Sequence, residues 1–158
     1  VTVRDPRAVF CSLFNYLESM DHTHLASRLI RSIECRSDKF QLLFNGYPGV
    51  LQPFNEILED YLCWLEEEAV HVVRFEDTVG PIGGRPADIR LTQIQSISDF
   101  LGVVTSTASA IDKKIDPNDS STLRAPSIDG WKDFFSNEEA EFLDNRMGSL
   151  ITDFGYNR

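Results

Sequence analysis

No apolar run in this 158-residue chain approaches the roughly 20 residues needed to cross a bilayer, so no membrane segment is expected in it. Cysteine is scarce. Cys11, Cys35 and Cys63 are widely spaced and odd in number, and no C-x-x-C pair occurs. They read as free thiols packed in the core, in a reducing compartment such as the cytoplasm. A basic stripe is also missing. Lys and Arg total 15 against 25 Asp and Glu, for a net charge of -10. Backbone-phosphate binding needs clustered cations, so nucleic acid is not the main partner. A small polyanion remains compatible, because a few local arginines can act against an acidic background. Internal repeats and low-complexity segments are absent as well. What remains has the composition of an ordinary globular protein, 42% apolar and 25% charged, and the length of one domain, 1–158.

Strands are few. Val1–Val3 reads as a strand end, and "VHVVRF" (70–75) as the one complete strand, β-branched as a buried strand of an α/β sheet should be. The rest is helical or loop. Asp5 suits the cap and Pro6 the first position of a helix whose Val9, Phe10, Leu13, Phe14 and Leu17 recur at helical spacing. A more polar helix follows over 25–33, and "LFNGYPGVLQP" (43–53) is loop punctuation. Phe54, Ile57, Leu58, Tyr61, Leu62 and Leu65 mark an amphipathic helix, closed on its solvent side by Glu66–Glu68. "GPIGG" (80–84) is a loop. Ile94, Ile97, Phe100 and Leu101 mark another helix, ended by Gly102, and 103–122 is loop around a short helical turn. Ser136 and Glu139 form a capping box for a last helix carrying Leu143, Met147, Leu150, Ile151 and Phe154, with Gly155 after it. The expected fold class is helix-rich α/β. One strand and the tail of another cannot make a stable sheet, so the expectation is that further strands lie N-terminal to Val1. On that expectation Val1–Val3, the first helix and Val70–Val73 should show uncovered apolar faces.

Chemistry concentrates at the opening segment. A strand end feeding a helix N-terminus is where α/β sheets bind ligands, and the helix end favours an anion. Arg4 is placed to grip a phosphate with a forked pair of donors. Ser12, on the small and polar side of the helix with Ala8 and Ser19, adds a hydroxyl. The competing reading pairs Arg4 with a carboxylate and leaves Ser12 as helix surface. His22 and His24 form an H-x-H pair with no companion ligands, a solvated helix start rather than a metal site. His71 reads as structural, and Trp64 and Trp131 read as core or loop anchors. Gly83-Gly84 is a turn, since no Lys-Ser/Thr follows it.

Taken in order, these segments resemble the C-terminal part of a bacterial-type sulfotransferase that uses 3′-phosphoadenosine 5′-phosphosulfate (PAPS). The R-[DN]-P-[RK] motif with a serine eight residues after its first arginine is matched by Arg4–Arg7 and Ser12. The strand ending in [YF]-E-D is matched by Phe75, Glu76 and Asp77, and the glycine loop after it by Gly80–Gly84. The late R-x-G-x-x-G-x-W-[KR] segment is matched by Arg124, Trp131 and Lys132, and the closing helix by its "FGY" end. The resemblance implies a three-layer P-loop-like fold, here only in part. It also implies a cosubstrate held without metal and transfer of a sulfuryl group to the hydroxyl or amine of a small-molecule or glycan acceptor.

By the same resemblance, Arg4, Ser12 and Arg124 would hold the 3′-phosphate and Phe75 would lie against the adenine. The late segment departs from the pattern at Ala125, Pro126 and Asp129. Proline offers no N–H to a phosphate, so Arg124 is expected to hold the nucleotide less well than Arg4. The family's 5′-phosphosulfate loop (P-K-x-G-T-T-W-like) and its general base have no counterpart in these 158 residues, so the chain by itself is expected to be inactive. The alternatives are a truncated, non-catalytic remnant acting as an interaction module and a fragment of a P-loop kinase.

Overall fold

The computed structural model describes residues 1–19, 24–103, 108–114 and 127–157. They form two compact units. One comprises Val1–Arg4 with Leu65–Gly130, and the other Asp5–Trp64 with Trp131–Arg158. The fold is helix-rich with a two-stranded parallel sheet, compatible with α/β.

In the first unit, β1 (Thr2–Val3) pairs in parallel with β2 (Val73–Arg74), in the register Thr2↔Val73 and Val3↔Arg74. The full strand expected over 70–75 is therefore cut to two residues. Its partner is itself only two residues long, and Phe75 already begins α5 (Phe75–Val79). The GPIGG segment, expected as a loop, is a 3-10 turn over Gly80–Gly83 closed by left-handed Gly84. α6 (Ala87–Phe100) packs on α5 and on α7 (Ala108–Asp112), the short helical turn expected within 103–122. Gly102 takes φ +65°. Its N–H donates to the Asp99 carbonyl at 3.1 Å and that of Val103 to the Ser98 carbonyl at 2.9 Å, the bond pair that closes a helix on a left-handed glycine. Among the described residues, Val3, Val73, Val79 and Ile94 are the buried apolar ones here, whereas Phe100 and Leu101, expected on the buried face of α6, are exposed.

The second unit is helical. α1 (Pro6–Ser19) is capped as expected: Asp5 Oδ1 accepts from the Arg7 N–H at 2.9 Å. α2 (Leu25–Ser32), α3 (Arg36–Asn45) and α4 (Phe54–Leu62, continued as a 3-10 turn over Cys63–Leu65) follow. α3 reaches into the expected 43–53 loop. It buries Phe40, Leu43 and Phe44 without a side-chain cap at Cys35, so its start carries no local signal. α8 (Gly130–Phe134) and α9 (Asn137–Asp153) close the chain, α9 on the expected Ser136–Glu139 capping box.

The core of this unit is built of phenylalanines. Phe10 lies 4.8 Å from Phe40 and 5.0 Å from Phe54, centroid to centroid. Phe142 meets Phe44 at 5.1 Å and Phe40 at 5.6 Å, in the tilted and edge-on arrangements aromatic pairs favour. Leu143, Met147, Leu150, Ile151 and Phe154 are all buried, as α9's spacing required. The apolar face of α1 is not left uncovered as expected. Phe10, Phe14 and Leu17 are buried, because α2 and α9 pack on α1. Of the other residues expected to lie open, Val1 and Val72 are exposed, but Val3 and Val73 are not.

Candidate functional site

The β1–β2 register decides what stands at the sheet's C-terminal end. Val3 faces Arg74, so the next residue on each strand, Arg4 and Phe75, are neighbours. The Arg4 guanidinium carbon lies 4.3 Å from the centroid of the Phe75 ring, a cation–π contact worth about 0.5–2 kcal/mol depending on desolvation. Both side chains are half-buried. Two residues 71 positions apart in sequence, one cationic and one aromatic, thus occupy one spot at the carboxyl ends of two parallel strands. Crevices beyond such strand ends are where open α/β sheets take ligands. Glu76, the second residue of the expected strand ending, is instead buried in the first turn of α5, with half-buried Asp77 beside it.

Arg90 shapes the turn that follows α5. Its Nε donates to Asp112 Oδ1 at 2.5 Å and its Nη1 to the Val79 carbonyl at 3.2 Å. Gly80 has φ +62°, and a Cβ there would stand 2.5 Å from Arg90 Cδ. The glycine is required by both the backbone and the arginine.

The remaining expected site residues are placed as follows. Ser12 is exposed on α1 of the helical unit, but Ala8, one turn earlier, is buried, so the small and polar side is not one continuous face. Arg124 lies outside the described residues, as does His22. His24 caps α2, its Nδ1 accepting from the Ala26 N–H at 3.2 Å. His71 stacks on Phe100, centroids 5.0 Å apart, and shares a 3.2 Å hydrogen bond with Ser96. Both histidines therefore have structural work. Among the described residues no group of three or more His, Cys, Asp or Glu is arranged to hold a metal. The cysteines depart from expectation. Cys35 and Cys63 are exposed and Cys11 is half-buried, so none is a fully buried core residue.

Arg7, the second arginine of the R-D-P-R run, is the residue the sequence undersold. It is buried, and it donates to Asp5 Oδ1 and Oδ2 at 3.0 and 2.8 Å, to Asp144 at 3.2 Å and to the Asn157 carbonyl at 2.8 Å. Its guanidinium carbon lies 4.2 Å from the centroid of the Trp131 ring, which makes Trp131 the anchor it was expected to be. Burial opposes the charge of Arg7. The hydrogen bond and charge of Asp5, followed by those of Asp144, more than offset that, and its proton is held more tightly than in an ordinary arginine. A raised pKa on Arg7 favours the folded state at pH values below the ordinary arginine range, and that contribution is lost only as pH rises through the raised value.

For a nucleotide carrying a 3′-phosphate, the Arg4–Phe75 pair fits in part. It offers a planar cation for the phosphate and a ring for a base, with one ring face already under the guanidinium. Compared with protein-family models, with curated proteins and with solved structures, the chain matches none.

Proposed function

We propose that this chain forms the 3′-phosphate and adenine side of the nucleotide site in a PAPS-dependent sulfotransferase of P-loop-like α/β fold. One observation carries the reading: the parallel register that sets Arg4 against Phe75 at the ends of β1 and β2. Arg4 would bind the 3′-phosphate through paired N–H donors, and Phe75 would present its ring to the adenine. A dianionic 3′-phosphate separates this cosubstrate from ordinary adenylates, and a charge-assisted donor is the group that reads it. Ser12 and Arg124 are proposed as further phosphate contacts on their spacing in the sequence alone. Bound PAPS supplies the sulfuryl group. The 158 residues by themselves should show no sulfation above background, because they contain neither a 5′-phosphosulfate loop nor a general base of the expected pattern.

Binding tests the reading. Adenosine 3′,5′-bisphosphate should bind much more tightly than AMP to a protein that contains this chain and the 5′-phosphosulfate loop. Arg4→Ala should abolish the difference while leaving AMP binding unchanged. Equal binding of the two nucleotides by the unmodified protein would overturn it.

A further inference from the structure

Ser96 and His71 bring a hydroxyl and an imidazole into direct contact within the sheet unit. Ser96 stands on α6 and His71 just before β2, and Ser96 Oγ lies 3.2 Å from His71 Nε2. With the ring hydrogen on Nδ1, Nε2 accepts the hydroxyl hydrogen, the arrangement that activates a serine as a nucleophile. Such a base also needs a group that fixes its orientation. Phe100, one turn after Ser96, holds the imidazole in a stack, with centroids 5.0 Å apart and the ring planes inclined by 21°. The negative face of that ring also favours the imidazolium formed when His71 takes a proton. Both Ser96 and His71 are half-buried, so packing holds the pair while a small molecule can still reach it.

We propose that Ser96 is the nucleophile, and His71 the general base, of a second site on this chain that cleaves small esters with an apolar acyl chain. Ser96 Oγ bonds to the acyl carbon while its proton passes to His71 Nε2 and the carbonyl electron pair moves onto oxygen. Return of that pair breaks the bond to the alkoxy oxygen, which takes the proton from Nε2 and leaves as an alcohol. Water, giving its proton to Nε2 in turn, attacks the acyl-serine, releases the acid and restores Ser96. Gln93 lies one turn before Ser96 on the same side of α6 as Phe100, and its amide is placed to donate to the oxyanion. The surface beyond Ser96 sets the class of acyl group. Phe100, Leu101 and Val103 are 51%, 64% and 43% exposed, and an apolar chain is what such a surface takes. Neither Arg4 nor Phe75 has a part in these steps, so the inference stands or falls apart from the nucleotide reading.

The test is covalent capture. The full chain is treated with a fluorophosphonate, which forms an Oγ–P bond and expels fluoride, and the adduct is located by peptide mapping. Ser96 should carry the label. His71→Phe keeps a ring against Phe100 but removes the base, and it should slow labelling by about a hundredfold or more with the melting temperature unchanged. Mapping on the unmodified chain needs no variant and decides the matter should His71→Phe fold poorly. Among 4-nitrophenyl esters, the butyrate should be cleaved about tenfold faster than the acetate above the uncatalysed rate, because two more CH₂ groups meet apolar surface. Phe100→Ala should remove that preference. No label on Ser96, a smaller fall in a folded His71→Phe, or equal rates with the two esters would overturn the proposal.

Discussion

Arg4 and Arg7 flank the same Asp-Pro pair, and their surroundings give them different work. Arg4 is half-buried with its guanidinium over the Phe75 ring, whereas Arg7 is 6% exposed and anchored by two carboxylates, a carbonyl and an indole. Removing one partner of a buried ion pair leaves the other charge uncompensated, at a cost of about 3–5 kcal/mol. Arg7→Ala should therefore destabilise the helical unit by about 3 kcal/mol or more, measured by urea denaturation. Asp144→Asn should cost about 1 kcal/mol or less, since its side chain is 40% exposed and solvent screens the pair. The Asp5 cap was legible in the sequence because its partner is two residues away. Arg7's clamp was not, because Asp144 and Asn157 lie 137 and 150 residues on and no local pattern points to them.

At the scale of the element, legibility followed the strength of local signals. α9 is bounded by a capping box at its start and by Gly155 at φ +78° after its end, and its apolar positions keep helical spacing throughout. Ser136→Ala should cost about 1 kcal/mol, seen as a lower melting temperature. Gly80→Ala should cost more, about 1–3 kcal/mol, because the backbone is left-handed there and Arg90 is held in place by Asp112 and Val79. Gly84→Ala should cost less, since its φ +90° and ψ 11° lie in the left-handed helical region that other residues can enter and nothing stands within 4 Å of its Cβ. If the two cost the same, neither the ψ −144° backbone of Gly80 nor its contact with Arg90 adds to the cost. The β-branched run at 70–75 misled in the opposite sense. Its composition favours strand, yet a strand extends only as far as a partner's hydrogen bonds reach, and β1 offers two residues.

At the scale of the whole molecule, the two units differ in what holds each together. The helical unit has a phenylalanine cluster and the Arg7 clamp, whereas the described residues of the sheet unit include four buried aliphatic residues and a two-residue ladder. Local opening is easiest where buried apolar contacts are few. In hydrogen exchange the amides of α1 and α9 should be the last to exchange and those of β2 among the first. Protection of β2 equal to that of α9 would show that the ladder is stabilised by more than the pairing described.

The sequence by itself determined the helices with clear apolar periodicity and caps, the helix-rich α/β class and the pairing of strand end with helix start at Arg4-Asp5-Pro6. These depend on contacts within a few residues, which a linear pattern records. Tertiary structure alone decided the register that brings Arg4 to Phe75, the burial of Arg7 and the exposure of Tyr61 and Trp64. Whether an arginine becomes a clamp or an aromatic ring meets solvent depends on which distant surface packs against it, and residue spacing along one element does not encode that.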